Sequence, residues 1–380
     1  MTGSALHVMF IDDDELMLKA AGRMLRRLRP DWHFTLVNDP RCWQEAAAEV
    51  AQEPELIISD LLMPNLQGDE LLKQASQAYP NSIRALITGD TSKEASALLN
   101  SSVHFMLPKP FSEEDFVHVL NSAERLKQMP FSTACRAKLA EIEDLPVLPR
   151  SILQIRQCIL RPEASIQDVS DLVNREPALA ARLVQLANSA YLGFQVRTSS
   201  LSESIRRLGL AMVEAVASIM LTQKSFKHLD SLVHQQIVNR YLNAAAKSKV
   251  LSERLNLPSR EQEKIYLMTL LCSIGELVLL EKGAEPDQFE AFYSFECGYK
   301  DSLVICSYIL ILWGYSVDMA ESILRIGREQ TFSDENIDSQ VLLLAMRWME
   351  SEASNSMEAF LRSLPNHYKK VIESILADAP

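Results

Sequence analysis

Residues 56 to 68 read LIISDLLMPNLQG. The apolar run from Leu56 ends on Asp60, and Pro64, Asn65 and Gly68 follow within eight positions. That order predicts a short buried strand that stops at a carboxylate and turns. On either side the same alternation repeats. HVMFI (7–11) precedes a helical pattern through Leu16, Ala20, Met24 and Leu28, and FTLV (34–37) precedes a helix around Trp43 to Val50. A helix near Glu70 to Ala78 follows the quoted strand. The strand RALIT (84–88), a short helix near Ser92 to Leu99, the strand HFML (104–107) and a helix from Ser112 to about Leu126 complete the series. Five strands each followed by a helix predict an α/β, doubly wound, five-stranded parallel sheet covered on both faces.

Beyond Lys127 the strand signal stops and the helical period takes over, as in Ile166, Val169, Leu172 and Val173. The predicted organisation is therefore an α/β domain over 1–127, a linker helix over 128–144, an all-α domain over 145–340 and a C-terminal helical extension over 341–380. The chain has 380 residues, 47% of them hydrophobic and 23% charged, which excludes a disordered or low-complexity chain because so much apolar surface can be buried. Lys+Arg 38 against Asp+Glu 50 leaves a net charge of -12, a poor match to a polyanion, so nucleic acid is not an expected partner. The six cysteines show no C-x-x-C pair, the N-terminus lacks a signal-peptide pattern, and the uncharged run Ser302 to Val317 is short of the ~20 residues that span a bilayer. A cytoplasmic setting and no membrane are the expectations.

In an open parallel sheet the functional groups collect at the carboxyl ends of the strands. Asp12, Asp13 and Asp14 end the first strand, Asp60 the third and Thr88 the fourth, and Lys109 follows the fifth. Clustered carboxylates repel one another unless a hard cation sits among them, and Mg²⁺ is the usual one. A lysine and a threonine hydroxyl opposite them suit an incoming anion. The constellation is one that accepts a phosphoryl group on a carboxylate.

These residues resemble the receiver domain of two-component response regulators. Asp12 and Asp13 match the acid pair, SDLLMPNLQG matches the D-x-x-M-P-x-x-x-G pattern with Asp60 as phosphoacceptor, Thr88 with Gly89 matches the strand-four hydroxyl, and PKPF places Lys109 before a proline usually held in cis. The resemblance implies Mg²⁺ on Asp12, Asp13, Asp60 and the Leu62 carbonyl. It also implies phosphate contacts from Thr88 and Lys109, and a sensor histidine kinase or phosphotransfer protein as donor. Two positions depart from the pattern. Met106 stands where the signalling aromatic is usual, with Phe105 predicted to point to the opposite side of the strand, and Leu62 replaces a polar side chain that orients water in fast-cycling members.

LPVLPRSILQI, NREPALAARLVQLANSAYLG and TSSLSESIRRLGLAMVEAVA resemble the HDOD domain, an output domain related to HD phosphohydrolases. Those enzymes hold metal through His and Asp ligands, including an adjacent His-Asp pair. This chain contains no His-Asp dipeptide and reads Cys272, Ser273, Ile274, Gly275 where the relatives read H-D-I-G, with Asn243 and Ser302 aligned to other histidines. His228 and His234, six apart, read as solvated or capping groups. The expectation is a domain that is not an enzyme, holds no cofactor, and passes the signal to a downstream protein or through a homodimer. The alternatives are a metal-dependent HD-type phosphohydrolase and a DNA-binding regulator. The second rests on a helix-turn-helix reading of Ile166 to Asn188 that offers only Arg182, Gln185 and Asn188 for base contact.

Overall fold

The computed structural model describes residues 5–89, 103–142, 145–146, 150–161, 163–188, 196–295, 298–327 and 336–377. The helix expected near Ser92 to Leu99, and Asp90 and Cys297, lie outside the described residues. Two compact units emerge: Met1–Val147 with Tyr293–Gly298 and Ser307–Glu321, and Leu148–Phe292 with Tyr299–Cys306 and Ser322–Pro380.

In the first unit β1 (His7–Ile11), β2 (His33–Val37), β3 (Leu56–Asp60), β4 (Ile83–Thr88) and β5 (Phe105–Pro108) form one parallel sheet in the order β2-β1-β3-β4-β5. β1, β3 and β4 lie inside the sheet and are buried along their whole length, which is why they read as unbroken apolar runs. The edge strand β2 keeps an exposed end. Side chains alternate between two cores. Met9, Ile11, Ile57 and Leu86 meet Trp43 and Ala47 of α2 (Trp43–Ala48) and Leu71, Leu72 and Ala75 of α3 (Gly68–Ala78). On the other face, Phe10 lies with its ring centre 6.0 Å from that of Phe116, in α4 (Glu113–Gln128). α1 (Glu15–Leu28) packs beside α4 and buries Leu18, Ala21, Gly22 and Leu25. Its arginines are engaged locally: Arg27 pairs with Glu113, and Arg29 pairs with Asn121 and Glu124 and lies over the Trp32 ring.

Strand order reverses direction between β1 and β3, so the crevice at their carboxyl ends is where a ligand site forms in such a sheet. At the opposite, amino end the buried His104 accepts the Arg84 N–H on Nδ1 at 3.0 Å. Its Nε2 lies 3.3 Å from the Tyr308 hydroxyl and 3.3 Å from Arg84 Nη2. Burial, and then the Arg84 charge, hold the imidazole well below its ordinary pKa. Between α4 and the second unit's first helix lies Thr133–Ala140, capped by Ser132.

The second unit is helical throughout its described residues. Its longest helix, Ser231–Arg254, packs on Ser259–Leu271 and Ile337–Ala353 through Tyr241, Leu242, Ala245 and Leu251. Two buried polar groups organise it. The Glu281 carboxylate accepts the backbone N–H groups of Lys227 (2.9 Å), His228 (3.0 Å) and Leu229 (2.7 Å), tying the loop before the long helix to the end of Ser273–Glu281. His234 is not solvated as its sequence position suggests. It is 3% exposed, against the Phe226 ring, because it falls one turn before Val238 on the buried face of the long helix.

Burial lowers the His234 pKa to about 4, against a smaller upward pull from the Ile219 carbonyl. A folded pKa below the unfolded value means that stability present above pH 6.5 is lost as pH falls through about 4. Between pH 7 and pH 5 this group should remove about 1–2 kcal/mol from the second unit. Urea denaturation at the two pH values should show that share of the loss in the native protein and its absence in His234→Gln.

Candidate functional site

The site grows from the carboxyl ends of β1, β3 and β4 and the turn after β5. The three consecutive aspartates after β1 divide the work. Asp12 points inward, 1% exposed, and Asp14 caps α1 by accepting the Leu16 N–H at 2.8 Å and the Met17 N–H at 3.2 Å. Asp13 is left exposed beside the crevice. The bend is pinned twice: the Asp14 N–H donates to Asp12 Oδ1 at 2.9 Å, and Asn38 Nδ2 donates to the Asp13 carbonyl at 2.9 Å. Asn38 is a positioning residue that sequence reading overlooked, although its place just past β2 was available as a signal.

Asp60 ends β3 at 6% exposure. Its backbone is clamped from both sides: Ser59 Oγ donates to the Asp60 carbonyl at 2.9 Å, and Gly68 at the start of α3 lies so close that a Cβ there would stand 1.9 Å from the same oxygen. Only a residue without a Cβ fits. Asn65, with φ 69, completes the turn between them.

Lys109 closes the site. Its backbone N–H donates to the Thr88 carbonyl at 2.7 Å, and the Lys109–Pro110 peptide is cis. The ammonium lies 2.7 Å from Asp60 Oδ1 and 3.5 Å from Asp12 Oδ2. Burial works against that cation, but the Asp60 hydrogen bond and the two carboxylate charges outweigh it and raise its pKa. Burial pushes Asp12 up, opposed by the Asp14 N–H and by Lys109. Thr88 is buried at the end of β4. Asp12, Asp13 and Asp60 each present an oxygen, all within 4.8 Å of one another, and they form the one such group among the described residues. An all-carboxylate donor set of this kind suits a hard divalent cation rather than a soft one.

The two departures from the receiver pattern have visible consequences. Met106 packs, half-buried, into the α2/α3 core, whereas Phe105 faces α4 with its ring centre 5.7 Å from that of His118. Leu62 is 63% exposed and brings no polar atom of its side chain to the site.

Residues 8–121 match the response regulator receiver domain model, and residues 145–293 match the HDOD domain model. The chain carries a receiver domain joined to an HDOD domain. It is 35% identical over 151 residues to an uncharacterised protein of Treponema pallidum, a stretch covering 39% of this chain and 28% of that protein. The aligned stretches span 28%, 20% and 22% of the curated relatives they match. Among solved structures, the signal receiver domain of an HD domain-containing protein from Pseudomonas fluorescens Pf-5 is 24% identical with a TM-score of 0.30, covering 33% of this chain and 98% of that one. A response regulator receiver domain protein from Clostridium thermocellum is 19% identical with a TM-score of 0.30, covering 32% and 97%.

In the HDOD domain the positions aligned to metal ligands carry thiol, hydroxyl and amide side chains. Cys272 is 1% exposed at a helix junction, and Cys306 Sγ donates to the Leu271 carbonyl at 3.3 Å. Gly275 lies against the Ser302 backbone, where a Cβ would come within 1.8 Å of the carbonyl oxygen. Asn243 is exposed, while its neighbour Tyr241 turns inward and donates to Glu276 Oε1 at 2.5 Å. Burial raises the Glu276 pKa, opposed by Arg240 and the Tyr241 hydroxyl, which hold its carboxylate. The helix-turn-helix candidates are also engaged. Arg182 donates to Gln185 and Asn239, and Asn188 bonds the Val184 and Thr198 carbonyls and accepts the Thr198 N–H. The last three residues of the LANSAY segment lie outside the described residues. Among the described residues no helix is long and apolar enough to cross a membrane.

The clamp on Asp60 makes Gly68 the most sensitive backbone position of the receiver. Gly68→Ala forces α3 or β3 to shift and should cost roughly 1–3 kcal/mol or more, read as a lowered urea midpoint with an unchanged slope.

Proposed function

We propose that the chain is a phosphorylation-controlled signalling protein of the bacterial cytoplasm, in which Asp60 takes a phosphoryl group from a phosphohistidine of a sensor kinase or phosphotransfer protein. The observation that carries this reading is the Lys109 ammonium held between Asp60 and Asp12 at the switch point of the sheet. An Asp60 oxygen forms the new bond to phosphorus as the phosphorus–nitrogen bond breaks, and the donor imidazole leaves with a proton. Lys109 and the Thr88 hydroxyl bind phosphoryl oxygens and offset their charge. Asp13, Asp60 and the Leu62 carbonyl would hold Mg²⁺, with Asp12 supporting them from beside the site. When bound, the ion neutralises charge on the transferring group. Leu62 places an apolar side chain where a polar one would position an attacking water, which favours a long-lived phosphorylated form.

The HDOD domain, in this reading, is not an enzyme and works through protein contacts, with a downstream signalling protein or a second copy of the chain as partner. What supports it is that Cys272 and Ser273, at two aligned ligand positions, are buried, and that the backbone of Ser302, at a third, is packed against Gly275. Thiol, hydroxyl and amide side chains at those positions do not make the His/Asp shell that activates water on a metal.

With Mg²⁺ and a small phosphodonor, intact-mass measurement should show one added phosphoryl group in the native protein. Asp60→Asn should show none, and Lys109→Ala should label on the order of a hundredfold more slowly. Labelling that persists in Asp60→Asn overturns the assignment. Separately, the purified chain should turn over neither cyclic dinucleotides nor phosphomonoesters and should hold no stoichiometric Fe, Mn or Zn. Turnover abolished by chelation would establish the phosphohydrolase alternative.

A further inference from the structure

Two cysteines of the second unit, Cys272 and Cys306, are buried together at 1% and 0% exposure. Cys272 is the single residue between the helices Ser259–Leu271 and Ser273–Glu281, and Cys306 stands in the second turn of Asp301–Leu312. Their approach depends on Gly275, which lets the backbone of Ser302, one turn before Cys306, lie directly against it. Cys306 Sγ is threaded into the helix junction as a result. It donates to the Leu271 carbonyl at 3.3 Å, accepts the Gly275 N–H, and shares a hydrogen bond with the Cys272 thiol. A side chain inserted at such a junction takes up backbone groups that an unbroken helix pairs internally.

Two thiols in contact can share a soft metal or become a disulfide. Among the described residues no third His, Cys, Asp or Glu joins them in a ligand group, which leaves a metal short of donors. Oxidation needs only the two sulfurs. Burial, and then the hydrogen bond to Cys272, push the Cys306 thiol well above its ordinary pKa, so it stays protonated and slow to react while the core is closed. Reaction therefore waits on opening of the helix junction. Once one sulfur is oxidised, the other is already in contact, and the intramolecular step outruns further oxidation.

We propose that Cys272 and Cys306 are a redox modification site of the HDOD domain, oxidised by hydrogen peroxide to a reversible disulfide that locks the helix junction onto Asp301–Leu312. One sulfur, as thiolate, attacks a peroxide oxygen. The sulfur–oxygen bond forms as the oxygen–oxygen bond breaks, and the departing hydroxide takes the thiol proton, giving a sulfenic acid and water. The second thiol attacks that sulfur. The sulfur–sulfur bond forms as the sulfur–oxygen bond breaks, and hydroxide leaves as water with the second thiol's proton. The two sulfurs together lose two electrons, which the peroxide gains, and a dithiol reductant reverses the change by thiol–disulfide exchange. The site is independent of Asp60. At the position aligned to the first histidine of H-D-I-G, the chain thus carries one half of a covalent lock. The same helix ends on Glu281, which grips the N–H groups of Lys227, His228 and Leu229, so the lock steadies the element that holds that loop.

The test uses the full chain carrying Cys42→Ser, which removes an exposed thiol and leaves five of the six cysteines. The folded protein is treated with hydrogen peroxide, freed of it, and alkylated with N-ethylmaleimide under denaturing conditions. The expected result is a loss of two alkylatable thiols, a peptide map that links Cys272 to Cys306, and recovery of all five thiols after dithiothreitol. Amide exchange across Leu271 to Gly275 should slow by at least about tenfold in the oxidised protein, because a cross-link suppresses opening of the junction. Cys272→Ala and Cys306→Ala, added one at a time, should each give no linked peptide and no slowing. Five intact thiols after prolonged treatment, a disulfide between other cysteines, or sulfinic acid at either position without a linked peptide overturns the site. A linked peptide with unchanged exchange across Leu271 to Gly275 overturns the lock.

Discussion

Lys109 stands 2.7 Å from one carboxylate and 3.5 Å from another at the rim of the sheet, and the arrangement of the receiver follows from that pairing. Two acids cannot share a half-buried crevice as anions without a countercharge, because desolvation and mutual repulsion both penalise the ionised pair. The ammonium offsets both. Its own position is set by the Lys109 N–H to the Thr88 carbonyl, so β4, β5, β1 and β3 are brought into register around one cation. The rest of the crevice is backbone engineering: the Asp14 cap, the Asn38 tether and the bare Cα of Gly68 hold the acids where that cation can reach them.

The helical domain solves a different problem. Its core carries carboxylates as well, and two of them are engaged by the fold. Glu281 is spent on three successive N–H groups, and Glu276 on Tyr241 and Arg240. A buried acid satisfied in this way rigidifies the loop or helix it grips. The receiver's three acids meet in one crevice, whereas Glu281 and Glu276 are each gripped by their own neighbours.

Much of the receiver was legible before any coordinates. The buried strands announce themselves because burial on both faces removes polar residues from them, and each strand end except the second was marked by its own Asp, Thr or Lys. The cis peptide at Lys109–Pro110 followed from the family resemblance, not from composition. What escaped was set by partners far away in sequence. Nothing local in Glu281 reveals that the N–H groups of 227–229 will gather on it. His234 reads as a surface group until the helical phase is seen to place it with Val238 on the buried face. Asn243, aligned to a ligand, is exposed because the helical phase brings Tyr241 inward instead. Loop-to-core distances of fifty residues leave no periodicity to read.

The segment Ser307–Glu321 has a consequence for what counts as a domain in this chain. Sequence similarity ends the receiver near residue 121, yet the folded unit around it borrows a helix end almost two hundred residues downstream. The coding boundary and the physical boundary are different lines. A gene fragment that stops after α4 would bare Ser122, Arg125 and the amino end of β5, and recombination that exchanges this output domain for another would have to bring a replacement cover with it. The receiver is modular in descent and not in surface.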